Sequence, residues 1–444
     1  MVTHTPLSRL QGGIVWSCWL GGGLLRLIYL LAIHPPQQHV YSDMEGYLQR
    51  ARSLLEGRAE SIADSLYPPG ASRLFAALLQ FDGDGGLVII AQWLLSLATM
   101  AGVWTLARRL YGNSVAVLSL VAVTLYLPLF HYAGLFLSEN PFCCALVWVW
   151  VLLMRAIDAP QPAATALWAL AAGLVAGMAA AFKATILLPL ALTGFIALLW
   201  LWRQGRRGAL TLAFGASLGL ATVLLPLAER CTRLADNHFC LVSTNTAMNA
   251  LMGHAGQKAA FRWFDAPRNI TYSFQSPSAS LRGYTEPVEL AFGAYDVPAN
   301  LAELERRVAA DPQMALEASL RNVADLFVGH SFWPFPVYRQ FDWGHAFQRL
   351  YQWVLLPLAL LWLVWRAPRM LRLKPDSLSE WLLLTPMLGL VATAFISLGE
   401  VRFRIPFDGF VIILAAQALL AIIDHRQRRV GITAPPLPVL PHQR

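Results

Sequence analysis

Residues 161–204 read QPAATALWALAAGLVAGMAAAFKATILLPLALTGFIALLWLWRQ, an apolar run whose only charge before Arg203 is Lys183. A helix crossing the hydrocarbon core needs about 20 residues, so this run is too long for one crossing even if tilted. It reads as two spans, 165–182 and 184–202, joined at Phe182-Lys183-Ala184. Eight further stretches have the same character: 14–33, 87–107, 114–132, 138–154, 209–228, 351–366, 379–398 and 405–423. Each is apolar on nearly every face, which suits lipid or packed helices rather than water.

The composition agrees. The 444 residues are 57% hydrophobic and 14% charged, with a mean hydropathy of +0.50. A soluble domain carries about 25% charged residues, so this chain lacks the polar surface to cover a globule. A soluble enzyme is excluded, as are disordered and collagen-like chains. The fold class is an all-α polytopic membrane protein of about ten transmembrane helices.

Basic residues flank alternate connections: Arg108 and Arg109, Arg155, Arg203 to Arg207, Arg366 to Lys374, and Arg426 to Arg429. Positive-inside bias puts these connections and both termini in the cytoplasm. It also accounts for the net charge of +8 without invoking nucleic acid. The first span reads as a retained anchor, since no cleavage pattern follows it.

Four parts follow. Residues 1–228 form a seven-span module whose first external loop is 34–86, and 229–350 form a large external segment. Residues 351–424 form a three-span module, and 430–444 a Pro-rich, disordered cytoplasmic tail. Within the external segment, 300–310 and 312–327 have amphipathic helical periodicity, and 272–287 read as a loop. Cys231 and Cys240 open this segment and are candidates for a disulfide, the alternative being two free thiols. No Cys/His spacing suits a structural zinc site.

Charges in or beside spans are costly and usually mark function. The topology places Asp43, Glu45, Glu139, Lys183, Glu400, Arg402, Arg404 and Asp408 all at the external membrane surface. A carboxylate there can take a proton from a hydroxyl, and cations can stabilise a departing phosphate. A site half in lipid suits a substrate with a greasy tail and a charged head. Simpler roles stand beside these: Asp43 or Glu139 as helix caps, Lys183 snorkelling at a tight turn, and Arg402 and Arg404 touching lipid headgroups.

Four motifs carry a family resemblance. They are Asp43-Met-Glu-Gly-Tyr47, Tyr67-Pro-Pro-Gly70, Ser138-Glu-Asn-Pro-Phe142 and Gly399-Glu-Val-Arg-Phe-Arg-Ile-Pro406. In this order and topology the chain resembles the GT-C superfamily of membrane glycosyltransferases, in particular its family-39-like and aminoarabinose-transferase-like members. The resemblance implies a GT-C-like bundle in the bacterial plasma (inner) membrane, with the active site on the periplasmic face. It implies inverting transfer of a sugar from a polyprenyl-phosphate carrier, usually undecaprenyl phosphate, to a hydroxyl of a lipid, glycan or protein.

By the same resemblance Asp43 is the catalytic base, and Lys183, Arg402 and Arg404 hold the donor phosphate. Glu45, Tyr47, Tyr67, Glu139 and Glu400 bind or orient substrate. Many relatives have adjacent Asp-Glu where this chain has Asp43-Met44-Glu45. That departure leaves open the role of Glu45 and of any divalent metal it would help bind. The rival reading is a transporter or flippase of a lipid-linked sugar. Such proteins place their sites near the midplane and show internal repeats, whereas the charges here lie at one surface.

Overall fold

The computed structural model describes residues 6–203, 208–256, 259–265, 270–275, 288–329 and 343–429. Among them, nine helices are long and apolar enough to cross a membrane, and one bent helix pair would make a tenth. The protein is a multi-pass membrane protein, and these helices lie at the ten stretches read from the sequence.

The first crossing contains α1 (Arg9–Ile28), which starts on a capping box between Ser8 and Gln11. After it come two helices outside the long apolar ones, α2 (Asp43–Leu55) and α3 (Gly70–Leu79), and the second crossing, α4 (Gly86–Tyr111). At the third stretch lies the bent pair, α5 (Asn113–Leu125) and α6 (Leu127–His131), turned by 56°. The break is at Tyr126, whose extended backbone precedes a helix with Pro128 in its first turn. Proline there leaves no i→i−4 bond to continue the preceding helix.

The next four crossings are α7 (Glu139–Asp158), α8 (Pro162–Phe182), α9 (Leu187–Arg203) and α10 (Gly208–Leu234). α8 and α9 are separate helices meeting at Lys183, whose backbone is extended. A buried charge in the first crossing shows how the bundle accommodates polar groups. Arg26 donates to Ser96 Oγ at 2.9 Å and to the carbonyls of Gly22, Val123 and Thr124.

Beyond α10 lies α11 (Asn245–His254), then a three-stranded sheet of β1 (Ala259–Asp265), β2 (Ile270–Gln275) and β3 (Val288–Gly293) in the order β2-β1-β3. β1 pairs antiparallel with β2 and parallel with β3, with a register shift between Ala260 and Arg262. The sheet stands beside an otherwise helical body and corrects the loop expected from residue 272, since β2 runs to Gln275. The rest of that loop lies outside the described residues, as does the tail at 430–444.

Two helices follow, α12 (Val297–Ala310) and α13 (Pro312–Val328), at the amphipathic stretches. Asp296 and Asp311 cap them, accepting from Ala299 N and Met314 N, and each helix has a proline in its first turn. Last come α14 (Trp343–Leu350), α15 (Leu356–Leu371), α16 (Leu378–Ile396), the short α17 (Val401–Arg404) and α18 (Asp408–Arg429). The spans containing α7 and α18 are the most enclosed, and they share the main core with Trp150, Phe142, Phe407 and Phe410. α7 and α17 both begin where the site described next is assembled.

Candidate active site

α2 begins at Asp43, directly after Ser42, whose φ of 55° is unusual for a residue with a side chain. Such backbone outliers cluster at functional sites. Asp43 does not use its carboxylate to cap its own helix. Its Oδ1 accepts from the Tyr67 hydroxyl at 2.9 Å, and its Oδ2 faces Arg402 Nη2 at 3.3 Å. The side chain is 16% exposed, so it is held in place yet reachable.

From Arg402 the polar chain continues inward. Its Nε lies 2.8 Å from Glu139 Oε1, and the same oxygen lies 3.0 Å from Lys183 Nζ. Glu139 is almost fully buried, and Lys183 and Arg402 are each 12% exposed. The Phe403 ring has both cations near it, with Lys183 Nζ 5.2 Å and the Arg402 guanidinium carbon 5.6 Å from its centroid. Lys183 therefore does not snorkel to water. It is turned into the protein against a carboxylate.

Two close backbone approaches bring these parts together. A Cβ on Gly70 would sit 2.6 Å from the Ala181 carbonyl oxygen, so only glycine lets the start of α3 rest on the end of α8 beside Lys183. A Cβ on Gly399 would sit 1.7 Å from the Asn322 carbonyl oxygen. Asn322 in turn donates to the carbonyls of Gly253 and Ser397 at 3.1 and 2.8 Å. Helices α11 and α13 thus fix the strand of chain that presents Glu400 and Arg402.

Tyr47 and Tyr67 line the same face of α2, their ring centroids 5.5 Å apart. Tyr47 donates to Ser138 Oγ at 3.4 Å. Burial, and next the charge of Asp43, push the Tyr67 hydroxyl well above its usual pKa, which keeps it a donor. The Glu400 carboxyl is pushed up by burial; Arg402 and Lys183 oppose this, and Asp43 and Asp325 add to it.

The structure does not gather every residue named from the sequence. Glu45 lies on the exposed side of α2. Arg404 is fully buried in a separate group, 3.0 Å from Asp408 Oδ1 and donating to Gln348 Oε1 at 3.0 Å. Its guanidinium stacks 3.4 Å over the Tyr351 ring, and Tyr126 donates to Asp408 at 2.8 Å. Cys231 and Cys240 are joined by a disulfide, with Cα atoms 5.3 Å apart. Among the described residues no three His, Cys, Asp or Glu side chains converge as metal ligands.

Sequence reasoning did not single out Arg50. It lies on the Asp43 face of α2, seven residues on, or two helical turns. Its guanidinium carbon is 4.6 Å from the centroid of Tyr67. The helical spacing from Asp43 was the available signal. Arg230, at the far end of α10, had none.

Residues 68–229 match the sequence model of the family described as dolichyl-phosphate-mannose-protein mannosyltransferase. No curated protein sequence matches the chain. Among solved structures, the oligosaccharyltransferase of Archaeoglobus fulgidus, crystallised with Zn and sulfate, aligns with a TM-score of 0.54 and 13% identity, over 94% of this chain and 50% of that one. The AglB structure of the same organism, with an inhibitory peptide and a dolichol-phosphate, gives 0.54 and 13% over 96% and 52%. ArnT from Cupriavidus metallidurans bound to undecaprenyl phosphate gives 0.41 and 14% over 96% and 82%. The chain spans about half the length of the archaeal oligosaccharyltransferase, and the likeness at 0.54 shows a shared fold.

Proposed function

We propose, from the fold shared with the archaeal oligosaccharyltransferase and the match of residues 68–229 to the mannosyltransferase family model, that this chain transfers a sugar from a polyprenyl-phosphate carrier to an acceptor hydroxyl, with inversion at the anomeric carbon. The observation that carries the proposal is the chain of contacts Tyr67–Asp43–Arg402–Glu139–Lys183. It sets a carboxylate next to a pair of buried cations at the mouth of an apolar bundle.

In this reading the donor's polyprenyl tail lies among the spans and its phosphate meets Lys183 and Arg402. The acceptor hydroxyl approaches Asp43 from the external helices. Each carboxylate oxygen has two lone pairs, so the hydrogen bond from Tyr67 leaves Asp43 able to accept the acceptor's proton. As the acceptor oxygen bonds to the sugar C1, the bond from C1 to the phosphate oxygen breaks. The proton passes to Asp43, and the electron pair leaves with the phosphate.

Fixed cations at that phosphate stabilise the charge that develops on it. Both are already paired with Glu139 or Asp43, so the phosphate must share them. Arg404, locked to Asp408, supports the turn at the start of α18 and does not meet the phosphate. The acceptor is a lipid, a glycan or a protein, and the site faces the outside of a bacterial plasma membrane, with both chain termini in the cytoplasm.

A panel of radiolabelled polyprenyl-phosphate sugars tests this with the purified protein in nanodiscs. One donor should be consumed, and the product linkage read by NMR should have the anomeric configuration opposite to the donor's. Retained configuration would contradict the single-displacement scheme.

A further inference from the structure

A second polar cleft opens on the other side of Tyr67, between α2, α3, the loop that joins them and the external end of α10. Arg50, Arg73, Arg230, Ser72, Glu60 and Asp64 line it. Arg230 is 7% exposed and bonds to Glu60 through Nε and Nη2, while Nη2 also donates to the Asp64 carbonyl at 3.2 Å. Its remaining nitrogen, Nη1, is buried with no hydrogen-bond partner among the described residues, and the same holds for Ser72 Oγ, whose side chain is 3% exposed. Buried polar groups are normally satisfied, so two unsatisfied ones lining one cleft mark a place for a ligand.

The charge balance says which kind. In the lining Arg230 pairs with Glu60 and Arg50 with Asp64, and Arg58 pairs with Glu56 beside it, so the cleft is net positive by Arg73. Arg73 is exposed at the mouth. Its charge is disfavoured first by burial and then by Arg230, with Glu60 opposing. An anion would relieve that repulsion. Guanidinium groups and a hydroxyl converging from different elements suit the several acceptor oxygens of a phosphate better than the two of a carboxylate.

We propose that this cleft is an acceptor subsite that takes a phosphate group carried by the acceptor. The proposal rests on the transferase reading and names the substrate class. Tyr67 is the partition between the two clefts: its ring packs under Arg50, and its hydroxyl reaches Asp43. A phosphate held by Arg73, Arg230 and Ser72 would point a neighbouring hydroxyl past Tyr67 toward Asp43. The donor phosphate, at Lys183 and Arg402, would lie on the opposite side of that carboxylate.

The test is equilibrium binding of radiolabelled glycerol 3-phosphate to the full chain in zwitterionic nanodiscs. Binding should be saturable and weaken by about tenfold or more in Arg73→Gln, since a charge-assisted bond is lost. Arg73 is exposed, so this variant should fold normally. Ser72→Ala should weaken binding less, and Asp43→Asn should leave it unchanged. Phosphatidic acid in the disc either competes, which assigns the phosphate to a membrane acceptor, or does not, which assigns it to a soluble one; both outcomes support the subsite. Absence of saturable binding, or equal binding by Arg73→Gln, overturns it. Normal probe binding in a protein that consumes no donor of the polyprenyl-phosphate sugar panel would instead defeat the transferase reading alone.

Discussion

Glu139 is shared by Lys183 and Arg402, and this makes stability and activity separable. Removing one partner of a buried ion pair costs about 3–5 kcal/mol, whereas replacing both with neutral groups of similar volume is often nearly neutral. Lys183→Met should therefore lower the melting temperature, and Lys183→Met with Glu139→Gln should recover much of it without restoring sugar transfer. Recovery of transfer in the double variant would show that the cation has no role at the phosphate. Glu400 carries a pH signature. Its raised pKa means that the folded protein holds the proton to a higher pH than the unfolded chain. Its contribution to stability is therefore present at low pH and is lost as pH rises from the ordinary glutamate range, about 4.3, through the raised folded value. Glu400→Gln should melt higher than the parent at pH 7, and the gap should close toward pH 4. A gap that stayed constant with pH would contradict a proton held at this site.

At the scale of elements, the motif around Gly399 works as a clamp. In Gly399→Ala the new methyl would meet a backbone oxygen, which cannot rotate away as a flexible side chain could. Overpacking of this kind costs about 1–3 kcal/mol, and Arg402 sits three residues further on. A misplacement of about 1 Å can cost a hundredfold in rate, so transfer should fall much more than stability does. Normal turnover in this variant would remove the clamp from the account. Helical geometry also explains which residues the sequence misgrouped. Residues two apart on a helix do not share a face. Glu45 therefore turns away from Asp43, and Arg404 turns from Arg402 toward Asp408 and Tyr351. The four motifs show which segments meet but not which side chains within them do. The spans were legible because continuous apolar runs need no partner to be recognised. The sheet was not, because β1 finds β3 in parallel across a bulge and nothing local in the sequence encodes that pairing. Arg230 joins Glu60 across 170 positions, equally beyond local reading.

At the scale of the whole molecule, the proposal puts the site on the outer face. An impermeant maleimide should label Arg52→Cys in intact cells and Gln161→Cys only after permeabilisation, since both positions are exposed on opposite ends of the bundle. The reverse pattern would invert the topology and leave the donor on the wrong side. In the proposed reading the spans hold a lipid tail, buried cations hold its phosphate, and external helices present the acceptor to a carboxylate. Asp43 is where these three roles meet. The most direct test compares the parent and Asp43→Asn in nanodiscs with the consumed polyprenyl-phosphate sugar, measuring donor binding and sugar transfer on the same preparation. The account predicts retained donor binding, with transfer reduced by about a hundredfold or more, as expected for loss of a general base. Full transfer by Asp43→Asn at normal donor affinity would contradict it.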